Sequence, residues 1–149
     1  MMARADGIEL PGDLYYARRD HFWARLEEGK VRVGLDMLGQ ESAGPVKHIQ
    51  LKPAGTAVAK GRMFGTIEAG KYVGALRAPV AGTLVEVNQL VVQTPGLVNT
   101  DPYGQGWFVV IQPSGLEADL KDLVHGEEGV QAWLEQEIKD YRLKGLLKE

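Results

Sequence analysis

The 149-residue sequence contains no cysteine, which excludes disulfide bonds, thiolate nucleophiles and cysteine-based metal sites. Any sulfur redox chemistry would have to use sulfur that is attached to the chain after synthesis. The sequence also lacks a strong charge of either sign. Its net charge of −3 gives no general attraction to nucleic acid or to anionic lipid. No uninterrupted run of about 18 apolar residues occurs, so no transmembrane helix is predicted.

Signals for secretion, catalysis and metal binding are missing as well. Residues 1–20 contain acids and no apolar run, which predicts no secretory signal and makes the cytoplasm the expected location. No Ser-His-Asp order, phosphate loop or HExxH motif occurs. His21, His48 and His125 have no metal-ligand spacing, and we expect them to have packing or surface roles. The sequence therefore predicts no catalytic residue and no metal site.

Glycine and short apolar runs dominate the middle of the chain. The sequence has 19 glycines and 7 prolines, and the runs between them are typical of short strands joined by tight turns. A short helix is expected over residues 36–42. Seven strands are predicted, over residues 22–26, 30–34, 46–50, 63–68, 72–77, 82–87 and 107–111.

After residue 113 the apolar pattern becomes helical. Residues 114–117 fit a capping box, and the apolar residues at 116, 120, 123 and 124 fall on one helical face. A second helix is predicted from Glu127 to about Leu147, and its glutamates, including Glu137, are expected to be solvated. Because helices follow strands instead of alternating with them, the predicted fold class is α+β and mainly β.

Lys71 lies between two predicted strands, in residues 68–74, which read EAGKYVG. Gly70 permits a positive φ, and the flanking strands would bring Lys71 to the tip of a hairpin. A lysine amine can attack an activated acyl group and form a stable amide. Cargo tethered there would be delivered at a raised effective concentration. On spacing alone, however, a solvated turn lysine is the simpler interpretation.

Four other stretches favour the carrier interpretation. Residues 97–107 read LVNTDPYGQGW, close to L-[VI]-N-x-[DS]-P-Y-x-x-G-W in the glycine cleavage system H protein family. Residues 20–23 (DHFW) resemble that family's x-H-E-W, and residues 33–35 (VGL) resemble its [VI]-G-I. Residues 78–88 (APVAGTLVEVN) resemble its S-P-V-S-G-x-[VI]-x-E-V-N. Because order and approximate spacing are kept, the chain resembles the H protein from Tyr16 to roughly Asp122.

The resemblance implies a lipoyl carrier. The family's lipoylated lysine lies in E-S-V-K-A, which aligns with residues 68–72, so lipoate would be attached covalently to Lys71. Glu68 and Gly82 match the family's glutamate three residues before that lysine and its glycine eleven residues after it. A biotin carrier would show M-K-M, which is absent. The predicted cofactor-binding residues are Lys71, Glu68, Gly70, Tyr72, Gly82, His21 and Phe22.

The resemblance also implies the architecture. One domain over residues 1–149 is expected, with a core at about 16–113 and a helical extension at about 114–149. The core would be a lipoyl/biotinyl-type barrel-sandwich hybrid of short antiparallel strands. Carriers of this type usually work as monomers, so a monomer is expected.

Three departures from the family pattern bear on the cargo. The glutamate of H-E-W is Phe22 here, the acid four residues after the lysine is Ala75, and the lysine's neighbours also differ. A carboxylate near a methylamine-loaded arm would favour the charged amine. Replacement of both acids by apolar side chains therefore weighs against ordinary glycine cleavage, although Asp20 remains and could compensate.

These departures favour a second group of H-like proteins, which serve a heterodisulfide-reductase-like complex in sulfur oxidation. Sulfur cargo needs no partner for an ammonium group. The alternative is a glycine-cleavage H protein that carries methylamine from glycine decarboxylase to aminomethyltransferase. Either role implies two further partners, a lipoate–protein ligase or lipoyl transferase and dihydrolipoamide dehydrogenase. An interaction module that has lost its arm also stays open.

Overall fold

The computed structural model describes residues 2–70 and 72–147, which contain eleven strands and five helices. The strands are β1 (Met2–Ala5), β2 (Ile8–Pro11), β3 (Tyr15–Tyr16), β4 (Phe22–Glu27), β5 (Lys30–Leu35), β6 (Val46–Leu51), β7 (Ala57–Val58), β8 (Met63–Ala69), β9 (Tyr72–Arg77), β10 (Gly82–Val87) and β11 (Val109–Pro113). The helices are α1 (Met37–Ala43), α2 (Gln89–Gln93), α3 (Leu97–Thr100), α4 (Leu116–Leu120) and α5 (Glu127–Leu143). The fold is therefore α+β and mainly β, as the sequence predicts.

The strands form three sheets whose pairs are antiparallel. The largest has the order β3-β4-β5-β11-β10-β7, the second has the order β6-β8-β9, and β1 pairs with β2 alone. Buried side chains from the two larger sheets share one apolar cluster. Phe64 lies within it, with its ring centroid 6.3 Å from that of Phe22 and 6.1 Å from that of Phe108. Because β4 alternates its faces, Phe22 enters this cluster while Trp23 enters another.

The second apolar cluster joins the β1–β2 hairpin to α5 around Trp23. Trp23 is fully buried, and its indole N–H donates to the Pro102 carbonyl at 2.9 Å. Gln131 of α5 exchanges two hydrogen bonds with the backbone of Arg4, at 3.0 and 2.9 Å. Arg142, at the other end of α5, pairs with Asp6 at 2.5 Å. The N-terminal hairpin therefore holds both ends of α5.

Two tight turns explain why β1 pairs with β2 and why β4 pairs with β5. Asp6–Gly7 and Glu28–Gly29 each connect paired strands, and all four residues have positive φ. Two positive-φ residues define the type I′ hairpin turn, for which Asp-Gly is a strong sequence signal. The prediction overlooked that signal at Asp6–Gly7, and with it β1 and β2. It also missed β3, β7, α2 and α3, which are too short to show a period.

All seven predicted strands are present, and only the last is displaced. β11 begins at Val109, two residues later than predicted. The Asn88 amide donates to the carbonyls of Gln105 and Trp107, at 2.8 and 2.7 Å, so the Trp107 carbonyl is already engaged outside the ladder. The predicted short helix is confirmed as α1, where the Asp36 carboxylate caps the helix by accepting from the Gly39 N–H at 2.9 Å.

The capping-box prediction is wrong. Gly115 occupies the N-cap of α4 and makes no side-chain capping bond, and the helix ends at Leu120. Val124 instead forms a bridge with Tyr16 through backbone hydrogen bonds of 2.9 and 2.8 Å. α5 ends at Leu143, earlier than predicted, because Gly145 takes a φ of 73° and closes the helix.

Within residues 2–70 and 72–147, no helix combines the length and the apolar composition needed to cross a membrane.

Gly82 stands where the backbones of β10 and β11 come close together. A Cβ at this position would lie 2.1 Å from the Gln112 carbonyl oxygen. We expect Gly82→Ala to lower the free energy of unfolding by about 1–3 kcal/mol, because over-packing forces the backbone to shift. Urea unfolding measures the change. Gly129→Ala is the control: a Cβ there would meet nothing within 4 Å, so helix propensity should raise stability by up to about 1 kcal/mol. Equal changes in both variants would contradict the close-packing explanation.

Candidate functional site

The β8–β9 hairpin carries the predicted attachment segment. Ala69 pairs with Tyr72 and Glu68 pairs with Val73, so residues 70 and 71 connect the two strands. Lys71 lies outside the described residues, and its role stays a prediction. The Gly70 N–H donates to the Pro45 carbonyl at 2.9 Å, which fixes the end of β8 to the segment before β6. Gly70 does not adopt the positive φ that a glycine permits.

A pocket of about 440 Å³ lies beside this hairpin, within the usual range of about 300–1,000 Å³ for small-molecule sites. Three parts of the chain form its walls. One wall comes from β8 and β9, a second from residues 19–43, and the third from the C-terminal end of α5 and the residues after it. The side chains used below are Asp20, Phe22, Ile67, Tyr72, Ala75, Tyr141 and Leu146.

The structure brings together only part of the predicted site. Phe22 and Tyr72 both line the pocket. Glu68 and Gly70 are exposed at the hairpin and are not among the lining residues. Gly82 is buried in β10, where close packing against β11 requires a glycine.

The two positions at which the chain lacks the family's acids face the same pocket. Phe22 is 4 % exposed and also packs edge-on against Phe64, so it has a core role as well as a pocket role. Ala75 follows Gly74 on β9, and the Tyr72 side chain lies directly over Gly74. Asp20 lines the pocket as well and is exposed. The pocket therefore combines apolar side chains with one carboxylate, that of Asp20, and two arginines, Arg19 and Arg77.

His21 lies outside this lining, in a buried cluster that connects α5 to the sheet. Its Nδ1 is 2.8 Å from the Asp36 carboxylate and its Nε2 is 2.7 Å from the Glu137 carboxylate. An ionised carboxylate only accepts hydrogen bonds, so both ring nitrogens donate and the ring is an imidazolium. Trp133 stacks on the ring at a centroid distance of 4.7 Å, and Tyr141 meets it edge-on at 5.3 Å.

The protonation of His21 reflects a balance of opposing effects. Burial alone would lower its pKa, but the charge and hydrogen bond of Asp36, with those of Glu137, raise the pKa to about 9. A neutral ring would leave one carboxylate facing a nitrogen that cannot donate. The charged histidine is therefore the form that fits its surroundings.

Glu137 corrects the sequence interpretation of α5 as a helix with solvated glutamates. Its side chain is 17 % exposed and bound to His21. A sequence signal was available, because Glu137 lies four residues after Trp133 and four before Tyr141. An acid within the apolar stripe of an amphipathic helix requires a buried partner.

A second cavity of about 430 Å³ lies between the β1–β2 turn and the chain after α5. Its lining includes Asp6, Met37, Pro45 and Leu147 but no residue of β8 or β9. Within the described residues, no group of three or more His, Asp or Glu side chains could hold a metal ion. Pro45 brings this second cavity close to Gly70 as well, but the pocket lined by Tyr72 is the one that includes residues of β8 and β9.

Comparisons with known proteins give the same family as the sequence motifs. The family described as "Glycine cleavage H-protein" matches residues 14–137. The chain is 41 % identical to glycine cleavage system H protein 2 of Aquifex aeolicus over 136 residues, which cover 91 % of this chain and 81 % of the relative. It is 46 % identical to the glycine cleavage system H protein of Myxococcus xanthus over 105 residues, which cover 70 % of this chain and 81 % of that relative.

A solved structure supports the fold. The crystal structure of a glycine cleavage system H protein from Mycobacterium marinum has a TM-score of 0.67 and 38 % identity, and the match covers 70 % of this chain and 87 % of that one. The family match and this structural likeness support a carrier protein of the lipoyl type. The chain belongs to the glycine cleavage H-protein family.

Members of this family are carrier subunits, not catalysts, and they bear lipoate covalently on a lysine. The chain is therefore an H-type lipoyl carrier. The relatives above are named for the glycine cleavage system. Those names support the methylamine alternative better than sulfur oxidation, which the comparisons do not support.

Proposed function

We propose that Lys71 is the lipoyl attachment residue and that the pocket lined by Tyr72 receives the arm. The observation that carries the proposal is the position of this pocket. It lies against β9, the strand that begins directly after residue 71. An arm attached at that residue therefore starts at the pocket's edge.

The lining residues suit a lipoyl group. Phe22, Ile67 and Tyr72 offer apolar surface to an aliphatic chain and a dithiolane ring, and burial of such surface is favourable by about 25 cal/mol per Å². When attached, lipoate supplies a reducible disulfide whose thiols can carry cargo. The chain's own residues hold the arm, limit its contact with water and release it to partner enzymes.

The proposed cargo is the aminomethyl group of glycine cleavage. Two observations support it: the relatives are named for that system, and Asp20 provides a carboxylate in a pocket that lacks the family's acids at positions 22 and 75. A carboxylate near a protonated amine favours the charged form. The partners in this role are glycine decarboxylase, aminomethyltransferase, a lipoate ligase and dihydrolipoamide dehydrogenase.

Loading by glycine decarboxylase tests the cargo. We expect the lipoylated protein to gain an aminomethyl adduct when incubated with that enzyme and glycine, as measured by intact-mass spectrometry. Asp20→Asn should slow loading by about threefold to tenfold, because it removes the carboxylate partner. Glu86→Gln, an exposed acid of β10 outside the pocket lining, is the control and should load like the parent. Failure of the lipoylated parent protein to load would contradict this cargo.

A second cargo is favoured by one specific observation. Phe22 and Ala75, which replace the family's acids, both line the pocket, and sulfur bound to the arm needs no carboxylate. In that role the partner is a heterodisulfide-reductase-like complex. The double variant Phe22→Glu/Ala75→Asp places an acid at both positions and distinguishes the two cargoes. If the parent accepts aminomethyl groups poorly because these acids are absent, the double variant should accept them faster than the parent.

A further inference from the structure

Gly70, directly before the proposed attachment residue Lys71, is tied to the residue that precedes β6 by a backbone hydrogen bond. Its N–H donates to the Pro45 carbonyl at 2.9 Å, and the ladder register shifts directly after the next pair, Val46 with Ala69. An opposed pair that is hydrogen-bonded normally exchanges two bonds. Pro45 has no N–H and cannot return the second one. The placement of Gly70 therefore depends on what holds the Pro45 carbonyl in position.

Asn99 of α3 binds the backbone on both sides of Pro45. Its Oδ1 accepts from the Val46 N–H at 2.9 Å, and its Nδ2 donates to the Gly44 carbonyl at 3.0 Å. These two bonds determine the orientation of the amide, because the oxygen must face the N–H and the nitrogen must face the carbonyl. One side chain therefore holds both neighbours of the residue that receives the Gly70 bond.

Buried groups hold Asn99 itself in place. Its Nδ2 also donates to the Gln40 Oε1 at 2.8 Å, and Gln40 is only 5 % exposed. The Gln40 carbonyl in turn accepts from the Gly44 N–H at 3.0 Å, where α1 ends. Val98, the residue before Asn99, is fully buried in the apolar cluster that the two larger sheets share. Asn99 therefore connects the segment before β6 to the end of α1 and to the core.

We propose that Asn99 is a positioning residue, which holds the attachment turn in place for the enzyme that lipoylates it. The inference rests on the proposed attachment of lipoate to Lys71. Asn99 acts through the backbone of residues 44–46, and by holding the Pro45 carbonyl it keeps the Gly70 backbone in one place before the ligase binds. Docking of an ordered turn costs less conformational entropy than docking of a loose one.

Hydrogen exchange at the Gly70 N–H reports on the turn in the unmodified protein. We expect Asn99→Ala to raise this exchange rate by about tenfold, measured by NMR without denaturant, because the Pro45 carbonyl is no longer held. In lipoylation by a lipoate ligase, the same variant should raise KM by about fivefold to tenfold and leave kcat close to the parent value. This split is expected because a loosened turn affects docking more than the acyl transfer that follows.

Asn88→Ala is the matched control. The Asn88 side chain makes as many hydrogen bonds as that of Asn99, two donated to backbone carbonyls and one accepted from the Leu90 N–H, but none of them joins residues 44–46. Asn88 is also buried, so its replacement should lower the free energy of unfolding in urea at least as much. The variant should nevertheless keep the parent values of KM and of Gly70 exchange.

Parent values of Gly70 exchange and KM in Asn99→Ala would overturn the positioning role. Equal changes in both alanine variants would overturn it too, since they would indicate general loosening. If Asn99→Ala does not fold, Gln40→Ala decides: it removes one partner of Asn99 and should raise Gly70 exchange by about threefold, whereas the parent rate would refute the proposal.

The two readouts separate this inference from the function on which it rests. A parent protein that gains no lipoyl adduct with any ligase would overturn the attachment of lipoate to Lys71, and with it the role of Asn99 in lipoylation. Gly70 exchange needs no lipoate, so a parent rate in Asn99→Ala would overturn the positioning role even where the parent protein is lipoylated normally.

Discussion

His21→Asn is expected to lower the free energy of unfolding by about 3–5 kcal/mol near pH 6, because removal of one partner from a buried ionic cluster leaves the others uncompensated. Asp36 is fully buried, and among the described residues its carboxylate bonds to His21 and to the Gly39 N–H alone. Glu137 would lose its bond to the imidazole nitrogen, so α5 would lose an attachment to the sheet. Urea unfolding at pH 6 measures the loss.

Asparagine is chosen because His21 has a φ of 60°, a conformation that asparagine tolerates better than most residues. The variant therefore removes the imidazolium and keeps the backbone. His48→Asn is the control: His48 is exposed on β6, and its change should stay within about 0.5 kcal/mol. Equal losses in the two variants would contradict the role of the buried cluster.

The same cluster predicts how stability depends on pH. The folded-state pKa of His21, about 9, exceeds the ordinary value of 6.5. The folded protein therefore retains a proton that the unfolded chain releases between these values. The stabilisation is fully present below pH 6.5 and is lost as the pH rises through 9, by about 3 kcal/mol in total.

The other titratable groups that face His21 should not obscure this dependence of the free energy of unfolding on pH. Asp36 and Glu137 are its ion-pair partners, and burial raises the pKa of Tyr141 above its usual value, so its hydroxyl stays protonated. The difference in unfolding free energy between the parent and His21→Asn should therefore narrow as the pH rises from 6.5 to 9. A constant difference over that range would show that His21 does not titrate as its surroundings require.

Lys71→Arg is expected to abolish carrier activity completely. A guanidinium stays protonated at any ordinary pH and cannot attack an activated acyl group as an amine does. After treatment with lipoate and a lipoate ligase, the parent should serve as a substrate for dihydrolipoamide dehydrogenase, measured by NADH oxidation. The variant should fall to the background rate. Lys47→Arg, at an exposed position on β6, should keep the parent rate, and residual activity of Lys71→Arg would indicate another attachment residue.

The sequence predicted seven of the strands better than it predicted the segments that complete the site. β5 alternates apolar and polar residues after Gly29, and β8 lies between Gly61 and Gly70, so the positions of both strands follow from local pattern. The β1–β2 hairpin carried a readable Asp-Gly signal that the prediction did not use. The failed capping box at residues 114–117 shows the opposite case, in which local spacing was compatible with a bond that the folded chain does not make.

Within the site, Phe22 and Tyr72 were identified from their positions in family motifs, and the pocket brings them together. The position of Leu146 in the pocket lining could not be predicted in this way. It depends on the glycine-closed end of α5 and on the path of that helix across the sheet. The pairing of Glu137 with His21 joins residues 116 positions apart, a contact that only the tertiary fold creates.

The most direct test of the account is to locate the lipoyl group on the parent protein. After incubation with lipoate, ATP and a lipoate ligase, the protein would be digested and its peptides sequenced by fragmentation mass spectrometry. The account predicts a single lipoyl adduct, carried by Lys71 in the peptide that contains Glu68. An adduct on any other lysine, or none with any lipoylation enzyme tried, would contradict it.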